Sequence, residues 1–269
     1  MDTQPPLTNT ERRDDVLFLA ERYQATGQRP PELLDDDDKR RFLAGDTHTQ
    51  HRLFFRLLCY GALAAQPAPE ALVRADWQRL RAAGLPDDIF DRRFDVERFA
   101  AAAPVARTDS KGRVIDFVRL SETRDVWARL LPWPADPATV VDVLYACSGG
   151  ALKSRAFWVV REMIRSGLWQ PAGLDRFACV PDGRVRKRVA RIGLVDCDEK
   201  ADTIDDMKLV SAGLYAALGL GGNGTRSHFD LPVSSAEQRC EVCDRARMAE
   251  CPMPHCRHRR TLLGADPAT

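Results

Sequence analysis

Half of the eight cysteines in this chain fall in one short window, RCEVCDRARMAECPMPHC. Cys240, Cys243, Cys251 and Cys256 are spaced C-x2-C-x7-C-x4-C and span 17 residues. Thiolates are soft ligands that suit zinc and iron–sulfur clusters. Four of them this close can close one site without help from the rest of the fold. The plain alternative is four unrelated, partly buried thiols. His255 and His258 flank the last cysteine and can replace a thiolate in a zinc site. A C-x2-C with a C-x4-C is common for zinc. A four-iron cluster also takes four cysteines, and Pro252 follows Cys251 in the manner of prolines beside cluster cysteines. The spacing leaves both metals open.

Two other segments carry chemistry. In VLYACSGGALKSRAFWVVREMI, Gly149 and Gly150 separate two apolar stretches, and Lys153 and Ser154 follow. A glycine turn between helices can bring backbone N–H groups close to a phosphate. It can equally be a simple helix hairpin. In CVPDGRVRKRVARIGLV, Asp182 stands near the start of a helical pattern, where it can serve as an N-cap. Arg184, Arg186, Lys187, Arg188 and Arg191 follow with no acid among them. They are candidates for phosphate contact, or else a solvated helix face. Trp158, Trp169 and Phe177 can stack on a base, or belong to the core.

The elements that must hold these residues read as helices. Ala, Leu and Arg are frequent and β-branched runs are short, a composition that leans to helix. Met1 to Thr10 is rich in Pro and Thr and reads as a disordered tail. Helical spacing is expected over Glu11–Thr26, Arg52–Ala65, Glu70–Ala83, Asp87–Ala103 and Asp116–Leu131. Arg29 to Lys39, with its run of four aspartates, reads as a solvated loop, and Thr108 to Arg113 as a turn. The hairpin is expected as Thr139–Ala146, a turn, and Lys153–Ser166. Helices over Asp182–Ile192 and Thr203–Leu218 follow, then a flexible turn at Gly219–Gly224.

The chain of 269 residues is long enough to bury a sizeable core in one domain or two lobes. Its net charge of +1 does not announce a nucleic-acid binder, but the distribution is uneven. Arg239 to Arg260 holds six arginines against Glu241, Asp244 and Glu250, whereas Asp35 to Asp38 are acidic. This asymmetry points to a local anionic partner. No stretch reaches membrane-helix length, and Met1 to Arg13 has no apolar core of a secretory signal. The expected setting is cytoplasmic, with cysteines kept as ligands or buried thiols.

The order of these segments resembles the helix–hairpin–helix (HhH-GPD) DNA glycosylases, the endonuclease III and MutY group. That group has a hairpin, then an aspartate with a valine or isoleucine three residues on and an arginine nine on, then a four-cysteine iron–sulfur loop. Here the matching residues are Gly149-Gly150, then Asp182, Val185 and Arg191, then the cysteine window, over roughly Thr139 to Arg260. The family hairpin usually reads L-P-G-x-G-x-K-T-A. Aligned on Gly149, Lys153 takes the place of the catalytic lysine; aligned on Ala156, Ser154 does. The hairpin-to-aspartate distance, 29 residues from Lys153, is longer than in endonuclease III and closer to the archaeal 8-oxoguanine branch. The cysteine spacing departs from the usual C-x6-C-x2-C-x5-C, although both patterns span 17 residues.

The resemblance implies an all-α, two-lobed fold: a tail over 1–10, a helical lobe over 11–135, a hairpin-bearing catalytic lobe over 136–230 and a cluster loop over 231–262. It implies a monomeric, nucleoid-associated base-excision enzyme that releases a damaged or modified base from duplex DNA. Asp182 would be the catalytic carboxylate and Lys153 an amine nucleophile giving AP-lyase activity. Gly149, Gly150, Ser154, Arg184, Arg186, Lys187 and Arg188 would contact DNA. Cys240, Cys243, Cys251 and Cys256 would hold a [4Fe-4S] cluster, with zinc as the alternative. A non-catalytic nucleic-acid-binding protein with a zinc knuckle, and an iron–sulfur redox or sensor protein, are the rival readings.

Overall fold

The computed structural model describes residues 6–25, 34–64, 75–79, 82, 112, 130, 136–148, 150, 152–171, 180–200, 202–221 and 253–258. All regular structure among the described residues is helical. The helices are α1 (Asn9–Ala25), α2 (Asp36–Leu43), α3 (Thr47–Ala64), α4 (Pro137–Cys147), α5 (Lys153–Arg165), α6 (Gly183–Ile192) and α7 (Ile204–Gly221). No helix among them is long and apolar enough to cross a membrane.

The chain divides into two units that do not follow its linear order. One joins Met1–Pro30 to Gly173–Thr269; the other is Pro31–Ala172. The sequence reading put a boundary at 135/136 and kept the hairpin with Asp182. The two units divide after Ala172, with α4 and α5 in one and Asp182 in the other.

In the unit built from both ends, α1 packs along α7, and α6 packs against α7. Their apolar stripes close one core: Val16 and Leu19 from α1, Val185, Val189 and Ile192 from α6, and Val210 and Leu214 from α7. Leu7, in the segment expected to be a tail, is buried, and α1 begins at Asn9, two residues before the expected start. Thr8 caps it in a reciprocal pattern: its Oγ1 accepts from the Glu11 N–H, and its own N–H donates to Glu11 Oε2 at 2.7 Å. Gly193 ends α6 in the left-handed region at φ +92°. A Cβ there would lie 3.0 Å from Arg257 Cβ and 3.2 Å from Leu7 Cγ, so both conformation and space require glycine. Helix α7 runs on through Gly221, past the start of the expected Gly219–Gly224 turn.

In the second unit α3 packs on α2 and on α5, and α4 packs on α5. Leu53, Phe54, Phe55, Leu57 and Leu58 of α3 are all buried, as the apolar run predicts. The aspartate run is not a solvated loop. Asp35 caps α2, its carboxylate accepting the Asp38 N–H at 2.8 Å. Asp38 is buried between the guanidinium groups of Arg52 and Arg56. Asp36 and Asp37 in the first turn suit the positive end of the helix dipole. The run is helical rather than looped because a helix start favours acids in its cap and first turn, and because Asp38 meets two guanidinium groups of the next helix.

Candidate functional site

Helix α4 starts cleanly, with Pro137 in its first turn and the Asp136 carboxylate accepting the Ala138 N–H at 3.0 Å. It ends on Ser148, whose hydroxyl donates to the Tyr145 carbonyl at 2.8 Å and accepts the Leu152 N–H at 3.1 Å. Gly150 follows at φ +87°, its N–H donating to the same Tyr145 carbonyl at 2.9 Å. A Cβ at Gly150 would sit 3.3 Å from the Tyr145 hydroxyl. Ser148 thus ties the end of α4 to the start of α5, and Gly150 takes a backbone conformation that favours glycine. Gly149 and Ala151 lie outside the described residues.

Helix α5 begins on Leu152, which has no acceptor in its side chain, and its N-terminus receives no side-chain cap. Lys153 and Ser154, both part-exposed, form its first turn. An uncapped helix start carrying a lysine is the local arrangement that attracts an anion. The rest of α5 is anchored. Phe157, Val160 and Met163 are buried, and Glu162 is held by Arg161 at 2.9 Å and Arg165 at 2.6 Å. Trp158, a candidate base-stacking residue, instead stacks on Tyr60 at 5.3 Å between ring centroids. Trp169 is part-exposed; Phe177 lies outside the described residues.

Asp182 does cap α6, as its position suggested. One oxygen, Oδ1, accepts both the Arg184 N–H at 2.9 Å and the Val185 N–H at 2.8 Å. The other oxygen, Oδ2, accepts no hydrogen bond among the described residues. Val180 and Pro181 before it are buried, and the Asp182 carbonyl accepts the Arg186 N–H, so the carboxylate is locally fixed while remaining part-exposed. Capping and a second task do not compete for the same oxygen.

The basic side chains of α6 divide. Arg184 is exposed and Lys187 part-exposed. Arg186 is only 7% exposed and Arg188 only 2%. Arg186 pairs through Nη2 with Asp202 at 2.7 Å. Arg186 and Arg188, expected to contact DNA, are thus buried residues of α6, whereas Arg184 and Lys187 reach the surface. Arg191 pairs with Glu199 at 2.9 Å.

Of the four cysteines, Cys256 is placed; Cys240, Cys243 and Cys251 lie outside the described residues. Cys256 is buried in the core formed with Val16, Leu19 and Met253. Its neighbours staple the segment down. The His255 N–H donates to Asp15 Oδ1 at 2.9 Å, and the His255 ring lies 3.3 Å from Asp14. Arg257 donates to the Ala190 carbonyl at 3.0 Å and pairs with Asp196 at 3.3 Å. Burial, followed by nearby Arg191, pulls His258 below its ordinary value, with Glu199 acting the other way. Among the described residues no three His, Cys, Asp or Glu side chains gather as a metal site.

One feature has no local signature in the sequence. A cavity of about 580 Å³ opens in the unit built from both ends, between the start of α1, residues 194–198 and α7. Its lining comes from segments nearly two hundred positions apart, so no motif could have announced it. Neither the family models, nor the curated proteins, nor the solved structures compared with this chain match it.

Proposed function

We propose that this chain is a DNA glycosylase of the helix–hairpin–helix type, with Asp182 as its catalytic carboxylate. The observation that carries the reading is the division of labour at Asp182: Oδ1 holds the helix start and Oδ2 is left for substrate. Breaking the bond between the sugar C1′ and the base leaves positive charge on the sugar, and the base departs with the bonding electrons. A fixed carboxylate stabilises that charge and can take the proton of an attacking water. The uncapped, lysine-bearing start of α5 supports a phosphate contact in the hairpin, and the exposed Arg184 and part-exposed Lys187 lie where a further phosphate can reach them. Lys153 is the candidate amine nucleophile for strand cleavage.

The donor set suits a metal or cluster. Four thiolates would be supplied by Cys240, Cys243, Cys251 and Cys256, and Cys256 sits in apolar surroundings anchored at His255 and Arg257. A [4Fe-4S] cluster is the favoured occupant and zinc the alternative. With every position taken by thiolate, the group would organise the basic segment rather than meet substrate.

The test is a panel of duplexes carrying oxidised purines, oxidised pyrimidines, mismatches and bulky modified bases. We expect base release from at least one of them, lost at least about a hundredfold in Asp182→Asn. Asparagine keeps the capping oxygen and removes only the charge. An Asp182→Asn protein with the normal rate would overturn the assignment. Duplex binding without release from any substrate would favour a non-catalytic binder. Borohydride trapping reports whether Lys153 attacks, and the visible spectrum of an anaerobic preparation separates cluster from zinc.

A further inference from the structure

The cavity in the unit built from both ends is lined by two charges of opposite sign, the part-buried Arg12 and the exposed Asp198, neither of them paired among the described residues. Asn9 and Arg12 stand one turn apart on α1 and line one side. The Arg12 guanidinium makes no hydrogen bond or ion pair among the described residues, and its Nε is fully buried without a partner. Asp198 lines the same cavity, accepts only the Lys200 N–H at 2.8 Å and has no cationic partner among the described residues. The other two carboxylates of the lining are engaged: Asp196 by Arg257, and Asp206 by the Thr203 N–H and hydroxyl at the start of α7. Arg12 and Asp198 share a cavity without pairing with each other. Between them lies an apolar wall that includes Val195, Val210 and Ala217, and α7 presents only glycine at 213. A Cβ there would lie 2.7 Å from Val195 Cγ1, so Gly213 is what lets residues 194–198 seat against the helix.

We propose that this cavity binds a small zwitterion with an apolar body, of the class of an apolar α-amino acid. Its carboxylate would meet Arg12 and Asn9, its ammonium would meet Asp198, and its side chain would lie on the wall of α7. A buried guanidinium N–H without an acceptor is costly, and a ligand carboxylate removes that cost. The cavity volume lies within the usual range for small-molecule sites, roughly 300–1,000 Å³. This inference does not rest on the glycosylase reading and uses none of its residues.

The experiment is calorimetric titration and thermal shift of the full chain with L-leucine and L-phenylalanine. Two fragments serve as controls: isocaproate, which lacks the ammonium, and isoamylamine, which lacks the carboxylate. We expect saturable binding of at least one amino acid, with each fragment weaker by roughly tenfold. Arg12→Gln should weaken the amino acid and isocaproate but leave isoamylamine unchanged. Asp198→Asn should do the reverse with the two fragments. Ala216→Phe, at an exposed position of the lining, should block all of them while leaving the unliganded melting temperature near that of the parent. No saturable binding of either amino acid, or binding indifferent to Arg12→Gln and to Ala216→Phe, would overturn the proposal.

Discussion

The backbone N–H of His255 donates to the buried carboxylate of Asp15 at 2.9 Å, joining positions 240 residues apart in sequence. The residue before the last cysteine of the window is therefore held against α1 by a buried side-chain acceptor. Asp15→Ala leaves this donor without its partner inside the protein, at a cost of about 1–3 kcal/mol. Urea unfolding should show a lower midpoint with an unchanged slope. Asp15→Asn, which keeps an acceptor oxygen, should fall between the two. Under the proposed four-cysteine metal site, the Ala variant should also retain less metal after dialysis against a chelator, because the segment bearing Cys256 loses its tie to α1.

Asp46 links α2 to α3. The Thr49 hydroxyl, then the Arg41 guanidinium, then the Thr49 N–H hold its carboxylate down to about 2, against an ordinary 3.8. The folded value is the lower one, so the group stabilises the folded chain above the ordinary carboxylate range. That contribution is lost as pH falls through the window from about 4 to about 2. Asp46→Asn should be less stable than the parent at neutral pH, and the difference should shrink through this window. A constant difference between pH 6 and pH 2 in thermal unfolding would contradict it.

Gly193 and Gly45 both have positive φ, +92° and +82°. They differ in surroundings. A Cβ at 193 meets Arg257 Cβ and Leu7 Cγ within 3.2 Å, whereas a Cβ at 45 meets nothing within 4 Å. Gly45→Ala should cost only the backbone strain, about 1 kcal/mol. Gly193→Ala adds the displacement of packed neighbours, a further 1–3 kcal/mol or so. Parallel denaturation curves of the two variants check the ranking. Equal losses would mean that Arg257 and Leu7 give way freely.

Local signals were legible. The start of α5 at Lys153 and the end of α6 at Ile192 follow from apolar spacing and from glycine at 193, and each was expected where it is found. Asp182 as a cap was readable from residue type and position; that it caps with a single oxygen was not, since oxygen choice depends on geometry. Pairings across the chain were hidden. Asp38 resembles its three neighbours until Arg52 and Arg56, on the next helix, are brought against it. Arg186 and Arg188 look like a basic surface stripe because α6 is short and its enclosure comes from elsewhere in the chain. The cavity at Arg12 and Asp198 needed α1 beside residues 194–198, a relation no local spacing encodes.

The joining of Met1–Pro30 to Gly173–Thr269 has a consequence for synthesis. Val16 and Leu19 on α1 find their partners only in α6, α7 and the segment around Met253. A ribosome delivers those partners long after α1 has emerged, while Pro31–Ala172 already has its own helices to pack. The early helix must wait with its apolar stripe in water, a non-local closure that slows folding and invites capture by chaperones. Closing α1 against α6, α7 and the segment around Met253 is thus a long-range step, whereas the helices of Pro31–Ala172 find their partners within that unit.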